Sequence, residues 1–197
     1  MRKTYRMAQL DASRVHLETK RLIIRGWRDS DLNDLYEYAS VDGVGQMAGW
    51  LPHINLDHSK TVLFNFVTNK NVFALELKDN NKVIGSIGIE KIYKNLLSDG
   101  FNSLSGREVG YVLSKQYWGL GLMAEALKPL IDFLFLKMDY DYLMCAHFKS
   151  NLQSKRVIEK VGFKFVKEIS IDTKFDKVVP TFLYVQINKR KDLILIK

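Results

Sequence analysis

The residues most suggestive of chemistry lie in one run, Glu108-Val-Gly-Tyr-Val-Leu-Ser-Lys-Gln-Tyr-Trp-Gly-Leu-Gly-Leu-Met-Ala-Glu125. An apolar strand pattern leads into a short loop holding Gly119 and Gly121. A helical stripe follows in Met123, Ala126, Leu127, Leu130, Ile131 and Leu134. The first turn of a helix leaves backbone N–H groups unpaired, and the helix dipole adds partial positive charge there. Glycines in front of that turn let an anion reach the backbone without meeting a Cβ. The pattern suits a phosphate or pyrophosphate. It also suits a plain glycine-containing loop ahead of a core helix, and the local pattern alone does not separate the two.

Other reactive side chains are sparse. Gly119-x-Gly121-x-x-Ala124 fits a dinucleotide fingerprint, with Asp139 and Asp141 about 20 residues on. Those aspartates precede the next strand instead of ending it, which argues against that use. Cys145 sits in the apolar run Tyr142-Leu-Met-Cys-Ala146 and reads as a buried structural thiol. His53 and His58 read as loop and cap residues and His147 as structural. No Cys, His and carboxylate cluster has metal-ligand spacing, so no metal is expected.

Around these residues the pattern predicts a mixed sheet. Arg21–Arg25 reads as a first strand. A helix over Leu32, Leu35, Tyr36 and Ala39 follows caps at Asp29–Asp31, and a second, through Val62 to Val67, is capped by Asp57 or Ser59. Strands at Asn71–Leu77 and Lys82–Ile92 form a hairpin. Next come a strand at Glu108–Leu113, a helix over Gly119–Lys137, a strand at Tyr142–Phe148, a helix over Asn151–Val161 closed by Gly162, and strands at Phe163–Ile169 and Thr181–Ile187. Pro129 falls inside the long helix and should bend it. The expected fold is α/β (α+β): a mixed, mostly antiparallel sheet of about seven strands with helices on both faces.

The chain has 197 residues, of which 47% are apolar and 26% charged, as expected of one globular domain and not of a disordered chain. One cysteine excludes an intrachain disulfide and agrees with a cytoplasmic location. The greasiest segment, Leu127–Leu136, is interrupted by charge and proline and falls short of the ~20 apolar residues a bilayer span needs. The net charge of +8 suggests an anionic partner. Much of it lies at the ends: residues 1–14 hold four basic groups against one acidic, and so do residues 189–197. The expected organisation is a polar basic lead-in over 1–14, a single domain over 15–188 and a basic, apolar tail over 189–197.

Several motifs in order carry a resemblance. Gln116-x-x-Gly119-x-Gly121 is similar to the acetyl-coenzyme A motif of the GNAT acetyltransferases. Asn151-x-x-Ser154 and Glu159-Lys160-Val-Gly162-Phe163 follow at that superfamily's spacing. Leu17–Arg25, Gly49-Trp50-Leu-Pro52-His53, Ile84-Gly85-Ser86-Ile87-Gly88, Glu108-Val-Gly110-Tyr111 and Tyr117-Trp118-Gly119 resemble its RimJ/RimL-like branch. The likeness spans about residues 17–168.

The resemblance implies a GNAT fold that holds acetyl-CoA as co-substrate in a V between two splayed parallel strands, here Tyr111–Leu113 and Tyr142–Phe148. It implies pantetheine on the backbone of Val112 and Leu113, and pyrophosphate on the amides of Trp118, Gly119, Leu120, Gly121, Leu122, Met123 and Ala124. Gln116 would shape that loop, and Asn151 and Ser154 would reach the pantetheine and thiol. An amine attacks the thioester directly. Glu108, ending its strand, is the implied base, and Ser154, or else Tyr111, the implied donor to the thiolate. An unpaired N–H near Val112 or Leu113 would stabilise the oxyanion. The acceptor wall falls over Tyr36–Asn65, with Trp50, His53, Tyr38 and Trp27 as its aromatic residues.

The acceptor is expected to be a protein N-terminus or a small primary amine. The alternatives are a CoA-binding module without catalysis and a basic nucleic-acid-binding or regulatory domain. Acetyl-CoA binding separates the first two from the third, and thiol release separates the first two from each other. No membrane partner is expected, and nucleic acid is disfavoured because the charge excess sits at the termini. Monomer and homodimer both remain open, the apolar tail Leu193–Ile196 being available to pair with a neighbour's strand.

Overall fold

The computed structural model describes residues 9–92, 96–97, 99–175 and 177–191. Twelve elements follow in chain order: β1 His16–Glu18, β2 Leu22–Gly26, α1 Leu32–Ala39, α2 Leu56–Asn69, β3 Val72–Leu77, β4 Val83–Glu90, β5 Gly106–Leu113, α3 Leu122–Leu136, β6 Tyr142–Phe148, α4 Leu152–Lys160, β7 Lys164–Asp172 and β8 Val178–Ile187. The strands form one sheet in the order β1-β2-β3-β4-β5-β6-β8-β7. Every neighbouring pair is antiparallel except β5 with β6. The eighth strand is β1, three residues in a polar stretch too short to show a period.

Register sorts the side chains onto two faces. On one face, α3 and α4 lie on Leu22, Ile24, Phe73, Ile87, Val109 and Leu143, in one continuous apolar core. On the other, α1 and α2 cover Val72, Ala74 and Val83. A separate cluster of Leu97, Tyr142, Met144, Leu183 and Val185 lies over β6 and β8 on that same face. The core of α3 continues without interruption through Pro129.

Several boundaries differ from the sequence reading. Helix α2 is capped by Asn55, whose Oδ1 accepts from His58 N at 2.8 Å, and not by Asp57 or Ser59. An asparagine with extended backbone suits that position, and Ser59 lies fully buried one turn inside. Helix α3 begins at Leu122 because Gly119 and Gly121 both adopt positive φ, 78° and 75°, which no helix interior allows. The segment 1–14 is not wholly a detached lead-in: Ala12 is buried in the main core and its N–H bonds Lys70 O at 2.8 Å. Arg14 pairs with Asp11, and Lys191, inside the expected tail, pairs with Asp139 and Asp141. The strand pairing expected of Leu193–Ile196 lies outside the described residues. Among the described residues no helix is long and apolar enough to cross a membrane.

Candidate active site

The parallel pair β5 and β6 is joined only at its root, where Gly106, Arg107 and Glu108 face Tyr142, Leu143 and Met144. Beyond Glu108 the two strands part, although β5 stays paired with β4 to Leu113 and β6 with β8 to Phe148. The free arms are therefore Val109–Leu113 and Cys145–Phe148; Tyr142–Met144, expected within the V, belong to its closed end. The phase of β5 follows from Ser114 N bonding Ile84 O at 2.7 Å. Residues 110 and 112 then bond β4, Val109 N–H closes the last parallel bridge to β6, and the N–H groups of Tyr111 and Leu113 point into the gap. This moves the expected unpaired N–H away from Val112 and leaves it at Leu113 and Tyr111.

Past the β5 arm the chain makes a short turn at Lys115–Tyr117 and reaches α3. Trp118 Nε1 donates to Leu113 O at 2.7 Å, anchoring the loop to the arm. No side chain caps α3, so the first-turn amides from Leu122 to Ala124 keep their unpaired N–H groups. A Cβ on Gly119 or Gly121 would meet nothing within 4 Å, so the amides are open. Leu122, Met123 and Ala124 bury their side chains and offer backbone alone, while Leu120 is exposed. Gln116 is exposed in the turn. The loop is shaped instead by Arg21, whose Nη2 donates to Leu120 O at 3.0 Å and whose guanidinium pairs with Glu125 at 2.7 Å. Thr19 Oγ1 donates to the same Glu125 at 2.6 Å. Sequence reading missed Arg21, whose only signal was its place in the opening strand motif. A cleft of about 510 Å³ opens beside this turn, lined by Gly121, Ala124 and the cations Arg21, Lys128 and Lys160 among others.

At the gap itself, alternation along β5 separates the expected catalytic residues. Glu108 lies on the α1–α2 face and Tyr111 on the α3–α4 face. Glu108 is the third residue of β5, not its end, and stands directly opposite Glu90 of β4. Burial raises the Glu108 carboxyl above the ordinary carboxylate value, and the Glu90 charge raises it further. Asn71 Nδ2 holds Glu90 Oε1 at 2.7 Å. Glu90 was overlooked because its importance comes from cross-strand register.

On the opposite face Tyr111 OH and Ser154 Oγ are 2.8 Å apart, and Tyr111 OH also donates to Ser154 O at 3.1 Å. Burial, and then the nearby Cys145 thiol, push the Tyr111 hydroxyl upward, the Ser154 bond partly opposing them. It therefore stays protonated. Asn151 caps α4 by accepting from Ser154 N at 3.0 Å, and its Nδ2 reaches Met47 O at 3.5 Å. Cys145 is buried, and burial raises its thiol out of the reactive range.

The expected aromatic acceptor wall is not an open one. Tyr38 is 3% exposed, with its hydroxyl bonded to Ser86, and Trp27 is buried beside Phe66. His53 is 7% exposed, 2.7 Å from Ser59 Oγ and stacked on His58. Burial, and secondarily His58, lower it to about 4, so it is neutral at pH 7. Trp50 is half-buried over Gly45, where a Cβ would run into its ring. Trp27 and Tyr38, with Trp50 packed against them, belong to the apolar cluster under α1 and α2. The loop they close reaches both arms: Lys115 Nζ donates to Asp42 O at 3.4 Å, and Gly49 lies against Phe148. Among the described residues no group of three or more His, Cys, Asp and Glu side chains is placed to hold a metal ion.

Comparison with known proteins agrees with this geometry. The family model described as an acetyltransferase (GNAT) domain matches residues 21–164. The uncharacterized N-acetyltransferase YnaD of Bacillus subtilis (strain 168) is 27% identical over 150 residues, which cover 76% of this chain and 83% of that protein. A GNAT-family acetyltransferase structure from Bacillus anthracis superposes with a TM-score of 0.77 at 19% identity, covering 89% of this chain and 99% of that one. Mycobacterium smegmatis RimJ, in complex with CoA-disulfide, superposes with a TM-score of 0.71 at 14% identity, covering 90% and 88%. By the extent of the family match and the split β5–β6 pair, the chain belongs to the GNAT acetyltransferases.

Proposed function

We propose that this protein transfers the acetyl group of acetyl-CoA to a primary amine, with Glu108 as the base and Tyr111 with Ser154 as the proton donor. The observation that carries this reading is the split pair, which places three different chemistries along one gap. At one end are the open amides of Gly119–Ala124. Along the arm are the gap-facing N–H groups of Tyr111 and Leu113. Glu108 at the root faces one side, and the Tyr111–Ser154 pair, along the arm, faces the other.

These residues fit acetyl-CoA. A phosphate-bearing end suits the glycine turn with Arg21, Lys128 and Lys160 beside it, and an amide-bearing arm suits the unpaired strand edge. Bound there, acetyl-CoA supplies the activated acetyl group. The protein's part is proton management. An incoming ammonium is inert until it loses a proton, and a buried carboxylate with a raised pKa accepts one more readily than an ordinary carboxylate. On the far side a hydroxyl held protonated by burial donates to the departing sulfur. Base and donor on opposite faces of one strand let the amine arrive from the α1–α2 side and the thiol leave on the α4 side. A protein N-terminus and a small amine both satisfy this chemistry. The single cysteine is in keeping with a cytoplasmic enzyme.

Titration calorimetry with acetyl-CoA, followed by thiol release with a panel of amines and peptides, tests the reading. Saturable binding with acceptor-dependent thiol release is expected. No binding at millimolar acetyl-CoA overturns it, and binding without release to any acceptor reduces the protein to a CoA-binding module.

A further inference from the structure

We propose that Gly88 and Gly110, paired across β4 and β5, form the floor on which the acceptor lies, with its ammonium directed to Glu108 and Glu90. This rests on the acetyltransfer reading and adds the acceptor's seat and what limits its shape.

Two strand glycines have no explanation among the described residues. Gly in a strand interior weakens it, so it usually marks a bend, a crowded contact or a close approach by a ligand. Gly85 and Gly106 have internal reasons: a Cβ at 85 would collide with Val112 O, and one at 106 with the Tyr142 ring. Gly119 and Gly121 need positive φ. Gly88 and Gly110 have neither reason. Both lie in regular β-structure outside the positive-φ set. Among the described residues, a Cβ at 110 would meet nothing within 4 Å, and one at 88 would reach Glu90 Oε1 and Val72 at 3.8 and 3.9 Å. They also face each other in register, so the bare patches adjoin.

Their surroundings point the same way. β5 is the fifth of eight strands, where both faces are ordinarily covered, yet Gly110 is exposed. The α1–α2 face carries two separate apolar clusters, one over β3 and its neighbours and one over β6 and β8. The glycine pair lies between them. Along the strip the next pair toward the root is Glu90–Glu108, and the next toward the arm is Ser86–Val112 with the Tyr38 hydroxyl on Ser86. A trough with carboxylates at one end, no side chains in the middle and a hydroxyl-and-apolar end accepts a cationic amine whose chain lies flat on the backbone. It rejects one with bulk beside that chain.

The test is Gly110→Ala, with Gly110→Val as the stronger step. The added Cβ meets no atom of the described residues within 4 Å, so the fold should be kept, and thermal unfolding should match the parent or lie slightly above it. Acetyl-CoA affinity by calorimetry should also be unchanged. For whichever amine the parent acetylates, kcat/KM should fall about tenfold with Ala, the size of a one-methyl misfit, and further with Val. Parent-like kcat/KM in both variants overturns the proposal and leaves the acetyltransfer reading standing. A parallel loss of acetyl-CoA affinity overturns it too, by assigning the strip to the cofactor. A parent that neither binds acetyl-CoA nor releases thiol overturns both.

Discussion

Arg25 is where this fold is most exposed to a single substitution. Its guanidinium donates from Nη1 to Asp31 Oδ2 at 2.7 Å, from Nη2 to Asp31 Oδ1 at 2.9 Å and from Nε to Glu76 Oε2 at 2.6 Å. The three side chains are 6%, 7% and 9% exposed. Arg25→Ala leaves two carboxylates buried without their cation. Breaking a buried pair from one side costs about 3–5 kcal/mol, because the remaining charge has no solvent to return to. A domain of this size loses roughly 2–4 °C of Tm per kcal/mol, so the expected drop is about 6–20 °C. An exposed pair such as Lys78–Glu18, worth about 0–1 kcal/mol, serves as the comparison. Urea unfolding of Arg25→Ala and Lys78→Ala gives both numbers. The effect should also reach the site asymmetrically. Asp31 sits at the entry to α1, and α1 holds Tyr38 on Ser86 and bonds Val83 N through Asp34 at 2.8 Å. At temperatures below unfolding, acceptor KM should therefore rise while acetyl-CoA affinity, set on the opposite face, holds. The triple change Arg25→Met, Asp31→Leu, Glu76→Met removes the charges together and should recover most of the loss. A cost below about 1 kcal/mol for Arg25→Ala, or a triple variant no more stable than the single one, would refute the reasoning.

Four further outcomes follow from the site. Glu108→Gln should lower kcat by about a hundredfold or more with little change in acetyl-CoA affinity, as loss of a general base does, read by thiol release at saturating acceptor. Glu90→Gln removes the like charge opposite Glu108, so the acid limb of the kcat/KM profile, which reports Glu108 in the free enzyme, should move to lower pH while staying above an ordinary carboxylate because burial remains; a limb that stays put shows that Glu90 does not act on the base. Gly121→Ala forces a Cβ onto a residue at φ 75°, a strain of about 1–2 kcal/mol, and should weaken acetyl-CoA binding roughly five- to thirtyfold by calorimetry without altering the pH profile. Tyr111→Phe and Ser154→Ala should each slow turnover at the thiol-leaving step, and parent-like rates in both would remove the donor role.

The fold was readable in this sequence wherever a periodic pattern was long enough to declare itself. β6 was read at its observed bounds, Tyr142–Phe148, because its apolar run is bracketed by charged and polar residues. α3 was legible from its stripe, and its start was misplaced because positive φ at both glycines is a backbone state that residue type permits without announcing. The split of β5 from β6 came only through resemblance, since no single-strand pattern encodes where two parallel strands part. The site divided similarly. Glu108, Tyr111 and Ser154 were named from motifs, but the opposition of Glu108 to Glu90, and the contact of Tyr111 with Ser154, depend on partners 18 and 43 positions away. Arg21 was missed for the same reason, its contacts with Leu120 and Glu125 lying about a hundred residues on. That Tyr38 and His53 are buried was not legible, because an aromatic side chain near a site can line it or back it, and only burial distinguishes the two.

Net charge is a poor guide to where this protein meets an anion. The +8 is a count of side chains, whereas the turn proposed to take the pyrophosphate is made of amides that carry no formal charge. Arg14 and Lys191, which belong to the basic ends, are held by Asp11 and by Asp139 and Asp141 and so are occupied within the fold. Arg21, which does stand beside the turn, is partly neutralised by Glu125 and serves the loop's shape through Leu120 O. The proposed acceptor strip shows the same economy, with two missing side chains beside the carboxylates of Glu90 and Glu108. On the proposed reading the working surface is built from backbone at the glycine turn before α3, along the open edge of β5 and over the Gly88–Gly110 strip. Substitutions that add a Cβ should therefore disturb it more selectively than substitutions that remove a charge, with the position of the added methyl deciding which substrate is lost: acetyl-CoA at Gly121, the amine at Gly110.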